Sequence, residues 1–284
     1  YTISLAAQFT NQFFDAEGDI IPLSASEIKE LFKSSGILVF RGFGVNYNQL
    51  KAFAEQVSSS FVRDETRPVV DSNGGVIQLV DEGADYIAPH CEHATTPFRP
   101  DVIWFCCEVP AAQDGETLFW DGVQVWQALS KDVKQLFLSQ KIKFFHEFSV
   151  ENWKLFLGER ATIADVHKLL DGLEGVNYRI NDDESVYMDY VCSAVVKTKY
   201  GHDDAFANSL LLQHGKETVT FEDNSPIPDG VIDEINKVMD SMTGVIDWQP
   251  GDLAMIDNSR FLHGRRAFED NNRKIFSTLT MLKD

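Results

Sequence analysis

The chain has 284 residues, of which 44% are hydrophobic and 12% aromatic, so it can bury a large core and is not intrinsically disordered. Its 44 acidic and 25 basic residues give a formal net charge of −19, which argues against binding to nucleic acid or to an anionic membrane surface. No apolar run approaches the roughly 18 residues of a membrane span, and no signal peptide is recognisable. We therefore expect a globular protein with neither a membrane nor a nucleic-acid partner.

The N-terminal part of the chain predicts a helix, a buried strand and a second helix. Ser24, followed three positions later by Glu27, predicts a capping box, and Gly36 predicts the end of that helix. The continuous apolar run "ILVFRGF" (37–43) predicts a buried strand, and helical spacing of apolar residues over 47–61 predicts the second helix.

From about residue 75 onward, short strands dominate and are interrupted by helical blocks. A helical insert is expected at roughly 123–175, and a further helix at 230–242. The expected strands cover 75–80, 101–109, 116–121, 185–198, 208–213, 218–223 and two segments within 245–282.

This order of elements predicts a mainly β protein with helices. Helices that occur in blocks disfavour a doubly wound parallel sheet and favour an antiparallel barrel or jelly roll buttressed by helices. No repeat, low-complexity tract or linker divides the chain, so we expect 1–284 to be a single domain. No glycine-rich phosphate-binding loop or nucleophile elbow occurs where either would be needed.

The four cysteines give no sign of a disulfide framework. Cys106 and Cys107 are neighbours, which rarely bridge each other, and with Cys91 and Cys192 they form no regular ladder of spacings. We expect reduced thiols in a cytoplasmic protein. The oligomeric state cannot be read from the sequence.

The stretch "IAPHCEHATTPFRP" (87–100) contains a candidate metal motif. Two histidines and one carboxylate on one side of a metal form the facial triad of non-haem Fe(II) oxygenases. Residues i and i+2 of an extended strand face the same way, so His90 and Glu92 can supply two ligands together. The motif alone is weak, because His202 and Asp204 form a second match in a polar, turn-like stretch.

A third ligand and a basic residue are expected near the C-terminus. His263 follows the predicted strand "LAMID", and Arg273 begins the apolar stretch "RKIFSTLTML". The planar guanidinium group suits a carboxylate, and apolar neighbours would keep such a site dry. Arg273 is therefore a candidate partner for a dicarboxylate cosubstrate.

Four segments, in a fixed order, resemble one protein family. They are "PHCEHATTPFRPD", "CCEVPAAQDGETLFWDG", "AFANSLLLQHG" and "WQPGDLAMIDNSRFLHGRRAFEDNNRKI". Over roughly residues 20 to 284 the chain is similar to the taurine dioxygenase/clavaminate synthase-like family of Fe(II)/2-oxoglutarate oxygenases, and most similar to its peptide and secondary-metabolite branch. The resemblance implies a double-stranded β-helix, or jelly roll, as the core.

The resemblance also implies the roles of five residues. His90, Glu92 and His263 would be the iron ligands, with no catalytic residue beyond them. Arg273, assisted by Thr117, would anchor the distal carboxylate of 2-oxoglutarate. Fe(II) is then the expected cofactor, with 2-oxoglutarate and O2 as cosubstrates.

Three further residues are candidates for contact with the substrate. The resemblance places Asn208, in "AFANS", near the site. His93 follows the ligand motif and is expected in a loop above the metal, while Arg265, two residues after His263, is expected to hold a substrate carboxylate. Cys91 lies between two of the ligands and should point away from the metal.

We expect an oxygenase that hydroxylates an unactivated C–H bond of a small molecule and releases succinate and CO2. By resemblance, the substrate is an amino acid or an amino-acid-derived secondary metabolite, free or carrier-bound. Desaturation or ring closure with the same cofactors is one alternative, and a metal-binding jelly-roll protein without oxygenase activity is another. A zinc hydrolase is disfavoured, because the sequence has no H-E-x-x-H motif.

Overall fold

Two β-sheets form the core of the protein, and helices pack on their outer faces. The computed structural model describes residues 3–4, 24–41, 44–64, 67–71, 74–80, 83–270 and 272–284. The helices are α1 (Ala25–Ser35), α2 (Tyr47–Glu55), α3 (Gly122–Ala128), α4 (Lys131–Ser139), α5 (Val150–Leu157), α6 (Ile163–Leu170), α7 (Leu210–His214) and α8 (Asp229–Asp240). The strands are β1 (Ile3–Ser4), β2 (Ile37–Phe40), β3 (Ser58–Val62), β4 (Gln78–Leu79), β5 (Ile87–His90), β6 (Val102–Val109), β7 (Thr117–Asp121), β8 (Ile142–Phe148), β9 (Val176–Ile180), β10 (Val186–Cys192), β11 (Val196–Lys197), β12 (Asp204–Ala205), β13 (Val219–Phe221), β14 (Gly244–Ile246), β15 (Leu253–Asp257), β16 (Phe261–Arg265) and β17 (Lys274–Leu282).

The two core sheets have the arrangement of a jelly roll. The larger sheet has the order β1-β2-β15-β6-β17-β3, with β4 also paired to β17, and the smaller sheet has the order β14-β7-β16-β5. Every described pairing in these sheets is antiparallel except that of β1 with β2. Apolar side chains from both sheets, such as Phe105 and Phe261, form a shared core. The predicted fold class, a jelly roll with helices around it, is confirmed.

The larger sheet is buried on both faces, because alternate side chains of its strands enter different cores. In β2, Val39 faces the smaller sheet, whereas Leu38 packs with α1 and α2. In β6, Cys107 and Cys106 are separated in the same way, and all four cysteines are free thiols. Burial on two faces explains the continuous apolar run at 37–43, of which 42–43 lie outside the described residues.

The first helix has the ends that the sequence predicts. The Ser24 side chain accepts a hydrogen bond from the backbone N–H of Glu27 (3.2 Å) and donates one to its carboxylate (2.8 Å). Gly36 adopts a left-handed conformation with φ of 71°, and its N–H donates to the carbonyl of Phe32. The second helix ends earlier than predicted, because the chain enters β3 within 47–61.

Two of the predicted elements differ from the structure. The stretch 123–175 is only partly helical, because it contains β8, which pairs with β10 and β13 in a third sheet. The strand predicted at 208–213 is wrong, because α7 occupies Leu210–His214. The Asn208 side chain accepts a hydrogen bond from the N–H of Leu210 (2.8 Å) at the start of this helix. A short apolar run does not by itself distinguish a strand from a helix.

The single-domain assignment of 1–284 stays a prediction, and residues 1–2 and 5–23 lie outside the described part of the chain. Within the described ranges, no helix has the length and apolar character that crossing a bilayer requires.

The β5 backbone and the Trp120 ring leave no room for a side chain at Gly264 of β16. A Cβ atom at this position would lie 2.5 Å from the carbonyl oxygen of Ile87 and 3.3 Å from the Trp120 ring. The register of the two strands shifts here, between His263 and Arg265. Only glycine leaves room for the β5 backbone, so the spacing of these two strands depends on this residue.

We expect Gly264→Ala to lower the free energy of unfolding by about 1–3 kcal/mol, because the added methyl group overlaps a backbone atom that cannot rotate away. Urea denaturation followed by circular dichroism measures the change. Gly230→Ala in α8 is the control, since its Cβ atom would meet nothing within 4 Å and alanine favours a helix. Equal stabilities of the two variants would contradict this view of Gly264.

Candidate metal centre

Two histidines face each other across neighbouring strands of the smaller sheet. His90, the last residue of β5, pairs with His263 in β16, and their ring centroids lie 4.2 Å apart. Nδ1 of His90 bonds to the carbonyl oxygen of Ala88 (2.9 Å), which orients that ring. Nδ1 of His263 has no hydrogen-bond partner in the described part of the chain. Its ring is held by packing, including an edge contact with Phe105 at 5.7 Å between centroids.

Glu92 brings a carboxylate to the same point, although it does not lie in a strand. The strand ends at His90, and Glu92 opens a turn. Its Oε2 atom lies 3.4 Å from Nε2 of His263 and 4.0 Å from Nε2 of His90. This oxygen is buried and has no hydrogen-bond partner among the described residues. The structure therefore brings together the three predicted ligands, with their donor atoms close enough to share one ion.

Asn258, directly after β15, holds the backbone of Glu92 in this turn. Its amide nitrogen donates to the carbonyl oxygens of Glu92 and Pro100 (both 2.9 Å), and its amide oxygen accepts from the N–H of Glu92 (2.8 Å). Asn258 is completely buried, so these bonds do not compete with water. The position of Glu92 thus depends on a residue that is distant in sequence.

Arg67, in the segment between β3 and β4, binds the other carboxylate oxygen of Glu92. Its Nη2 atom donates to Oε1 of Glu92 at 3.0 Å, and Asp64 lies 3.4 Å from its Nε atom. Because Arg67 engages Oε1, Oε2 is the oxygen that faces the histidines. Reasoning from the sequence missed both Arg67 and Asn258. The "DN" that precedes His263 in the family-like segment is the only sequence signal for Asn258.

The protonation states of the cluster suit a divalent cation. Burial lowers the pKa of His90 to about 3, and repulsion from His263 adds to this effect. Burial alone would raise the pKa of Glu92, but the Arg67 guanidinium and the two imidazoles outweigh it and hold that pKa well below its usual range. A neutral imidazole and an ionised carboxylate are the forms that bind a metal. The donor set, two imidazoles and a carboxylate, fits Fe(II).

One pocket is lined by both histidines and by two arginines, the buried Arg265 and the partly buried Arg273. Nε of Arg273 donates to the carbonyl of Gly115 (3.0 Å). The hydroxyl oxygen of Thr117, which also lines the pocket, accepts a hydrogen bond from the indole N–H of Trp248 (3.0 Å). The Thr117 hydroxyl hydrogen therefore remains available to a ligand in the pocket. Trp248 was not anticipated from the sequence.

The three predicted substrate contacts lie in different surroundings. His93 occupies a turn with φ of 53°, and its Nε2 atom lies 3.8 Å from Asp64. Arg265 lines the same pocket as Arg273, and its charge acts on that residue. The amide of Asn208 donates to the carbonyl of Ala194 (2.7 Å) and accepts from the start of α7. This bonding favours a structural role for Asn208 over the predicted substrate contact.

The competing motif and the neighbouring thiol are not part of the centre. His202 is exposed, and Asp204 forms an ion pair with Lys197 at 2.7 Å. Cys91 is buried, and its thiol donates to the carbonyl of Phe261 (3.4 Å), away from the ligand atoms. Burial raises the pKa of the Cys91 thiol to about 11, so it is neither a thiolate ligand nor a nucleophile.

A jelly roll with two histidines and a carboxylate grouped beside a pocket that two arginines also line is the arrangement of a 2-oxoglutarate-dependent non-haem iron oxygenase. Residues 6–279 match the family "Taurine catabolism dioxygenase TauD, TfdA family". The chain belongs to this family. It is an Fe(II)/2-oxoglutarate-dependent oxygenase, with Fe(II) as cofactor and 2-oxoglutarate and O2 as cosubstrates.

Three similar proteins share only a small fraction of their sequence with this chain. The dapdiamide synthesis protein DdaC of Enterobacter agglomerans is 22% identical over 271 residues, which covers 85% of this chain and 81% of that protein. PvcB from Pseudomonas aeruginosa shares the fold with a TM-score of 0.57 at 13% identity, over 97% of this chain and 94% of PvcB. An asparagine oxygenase, solved with Fe(II), 3-hydroxyasparagine and succinate, shares it with a TM-score of 0.55 at 14% identity, over 92% and 80%.

We expect Asn258→Ala to lower the free energy of unfolding by about 1–3 kcal/mol, because buried N–H and C=O groups of Glu92 lose their partners. Metal affinity should fall by about 10- to 100-fold, as is typical when a group that orients a ligand is removed. Mn(II) titration followed by electron paramagnetic resonance measures the affinity.

Asn177→Ala is the matched control for Asn258→Ala, because Asn177 is exposed and its side-chain amide donates to the Asp189 carboxylate at 3.0 Å. We expect neither its stability nor its metal affinity to change. Wild-type Mn(II) affinity in Asn258→Ala would show that Asn258 does not set the position of Glu92.

Proposed function

We propose that this oxygenase hydroxylates an unactivated C–H bond of a small molecule, an amino acid or an amino-acid-derived secondary metabolite, with release of succinate and CO2. The observation that carries the proposal is the buried Oε2 atom of Glu92, which faces two histidine nitrogens and has no hydrogen-bond partner among the described residues. In this assignment His90, Glu92 and His263 hold the iron.

The three ligand side chains would bind the metal from one side and leave its other positions open. Bound Fe(II) with 2-oxoglutarate and O2 provides the oxidising chemistry, while the chain supplies ligation, orientation and a dry environment. Nδ1 of His90, bonded to the Ala88 carbonyl, keeps Nε2 turned toward the metal. Arg67 holds Oε1 of Glu92, so that the carboxylate presents only Oε2.

The far end of the pocket fits the second carboxylate of the cosubstrate. Arg273 supplies a partly buried cation there, and Thr117 supplies a hydroxyl donor, because its oxygen already accepts from Trp248. Ionic hydrogen bonds of this kind are strong when water is excluded. These residues would orient the cosubstrate with its 2-oxo acid end toward the histidines.

The relatives support a small amino-acid-like substrate. The asparagine oxygenase structure holds a hydroxylated amino acid and succinate. PvcB is described as an Fe, alpha-ketoglutarate dependent oxygenase from an isonitrile synthetic pathway, and DdaC as a dapdiamide synthesis protein. Hydroxylation is the reaction that we propose, and desaturation or ring closure with the same iron ligands and cofactors is the alternative. His93, in the turn after Glu92, is our candidate for a substrate contact.

The net charge and the free thiols support our proposals for the partners and the cellular location of the protein. A net charge of −19 disfavours nucleic acid as a partner. The four free cysteines are consistent with a reducing, cytoplasmic location.

Addition of Fe(II) and 2-oxoglutarate under anaerobic conditions should give a weak visible charge-transfer band. We expect the band to be lost in His90→Ala and in His263→Ala, because each variant lacks one ligand. His202→Ala is the control, since this exposed histidine belongs to the rejected motif, and it should keep the band. Absence of the band from the wild type would favour the metal-binding protein without oxygenase activity, whereas a band in all variants would overturn the assignment of His90 and His263 as ligands.

A screen of amino acids and their derivatives, followed by succinate formation and mass spectrometry, tests the reaction type. We expect a product that has gained one oxygen atom. A product that has lost two hydrogen atoms would instead indicate desaturation or ring closure.

A further inference from the structure

Strand β16 contributes two side chains, His263 and Arg265, to the lining of the same pocket. His263 and Arg265 are two residues apart, so both side chains project from the same face of the strand. Two residues along a strand advance about 6.6 Å, which is comparable with the length of 2-oxoglutarate. In the register of β16 with β7, Arg265 lies directly opposite Thr117. Arg265 therefore lies at the level of the predicted cosubstrate contacts.

A second arginine reaches the same place from the start of β17. The guanidinium carbons of Arg265 and Arg273 lie 5.1 and 5.4 Å from the centre of the Phe268 ring. Nη2 of Arg265 donates to the carbonyl of Asp85 (2.9 Å), and Nε of Arg273 donates to the carbonyl of Gly115 (3.0 Å). Two backbone carbonyls and one aromatic ring thus hold both guanidinium groups beside the pocket.

These two cations repel each other. Burial lowers the pKa of Arg273 to about 10, and the charge of Arg265 contributes to the shift. No salt bridge found among the described residues involves the Arg273 guanidinium. A carboxylate bound between the two guanidinium groups would offset both the desolvation and the repulsion.

We propose that Arg265 and Arg273 jointly bind the distal carboxylate of 2-oxoglutarate, so that Arg265 serves the cosubstrate and not the substrate. The proposal rests on the proposed function. It reassigns the sequence-based role of Arg265 and makes this residue a determinant of specificity for dicarboxylic over monocarboxylic 2-oxo acids. The shared Phe268 ring would keep the two guanidinium groups correctly spaced.

Calorimetric titration of the Mn(II)-loaded protein, without O2, tests this role without relying on activity. We expect Arg265→Gln to weaken 2-oxoglutarate binding by about 10- to 100-fold, the range for losing a hydrogen bond between charged groups. Binding of 2-oxopentanoate, which has the same chain length but lacks the distal carboxylate, should not change. Mn(II) affinity should also be unchanged.

Arg266→Gln is the matched control, because this neighbouring arginine is exposed and pairs with Glu116 at 2.9 Å. It should bind 2-oxoglutarate like the wild type. Arg265→Lys keeps the charge but loses the planar fork, so we expect a smaller loss of affinity. This variant provides the test if Arg265→Gln does not fold.

The outcomes separate this inference from the proposed function. Wild-type affinity for 2-oxoglutarate in Arg265→Gln, or in Arg265→Lys if only that variant folds, would overturn the role of Arg265 and leave the oxygenase assignment intact. Equal losses of affinity for 2-oxoglutarate and 2-oxopentanoate would also overturn it, because the distal carboxylate would then not be involved. Failure of the wild-type protein to bind 2-oxoglutarate in the presence of metal would instead overturn the proposed function.

Discussion

The antiparallel pairing of β5 with β16 is the constraint on which the candidate metal centre depends. It sets His90 opposite His263 and leaves Arg265 further along the same inner face. A shift of one residue in this pairing would turn the side chains of one strand to the other face of the sheet. Gly264 allows the two strands to approach this closely. Backbone geometry therefore defines both the metal end and the arginine end of the pocket.

The pocket is rich in arginine although the chain as a whole is acidic. The chain carries a net charge of −19, yet three arginines line this one pocket. Arg67 donates a hydrogen bond to Glu92, whereas Arg265 and Arg273 both contact the Phe268 ring. Burial strengthens each of these interactions, because water cannot screen them. An acidic protein can thus present a strongly cationic site to a dicarboxylate.

Patterns with a local physical cause were predicted well from the sequence. Many short strands, with the helices in blocks, led to the jelly roll, and the helix that ends at Gly36 followed from its caps. The order of the family-like segments led to His90, Glu92 and His263, which the structure brings together. The prediction of a strand from a short apolar run was wrong at 208–213. The run 208–213 has the apolar content of a strand but contains most of α7, whose first residue, Leu210, donates its N–H to the Asn208 side chain.

Residues able to bind a metal and a dicarboxylate can be recognised in the sequence, because the chemistry of imidazole, carboxylate and guanidinium belongs to each side chain. How these side chains are held follows from contacts made in the folded protein. Glu92 lies in a turn, not in an extended strand, and its position depends on Asn258 and Arg67. Arg265 lines the same pocket as Arg273, a neighbour that the sequence did not indicate. Such contacts join residues far apart in the chain, so they arise from the packing of the two sheets and leave no local pattern.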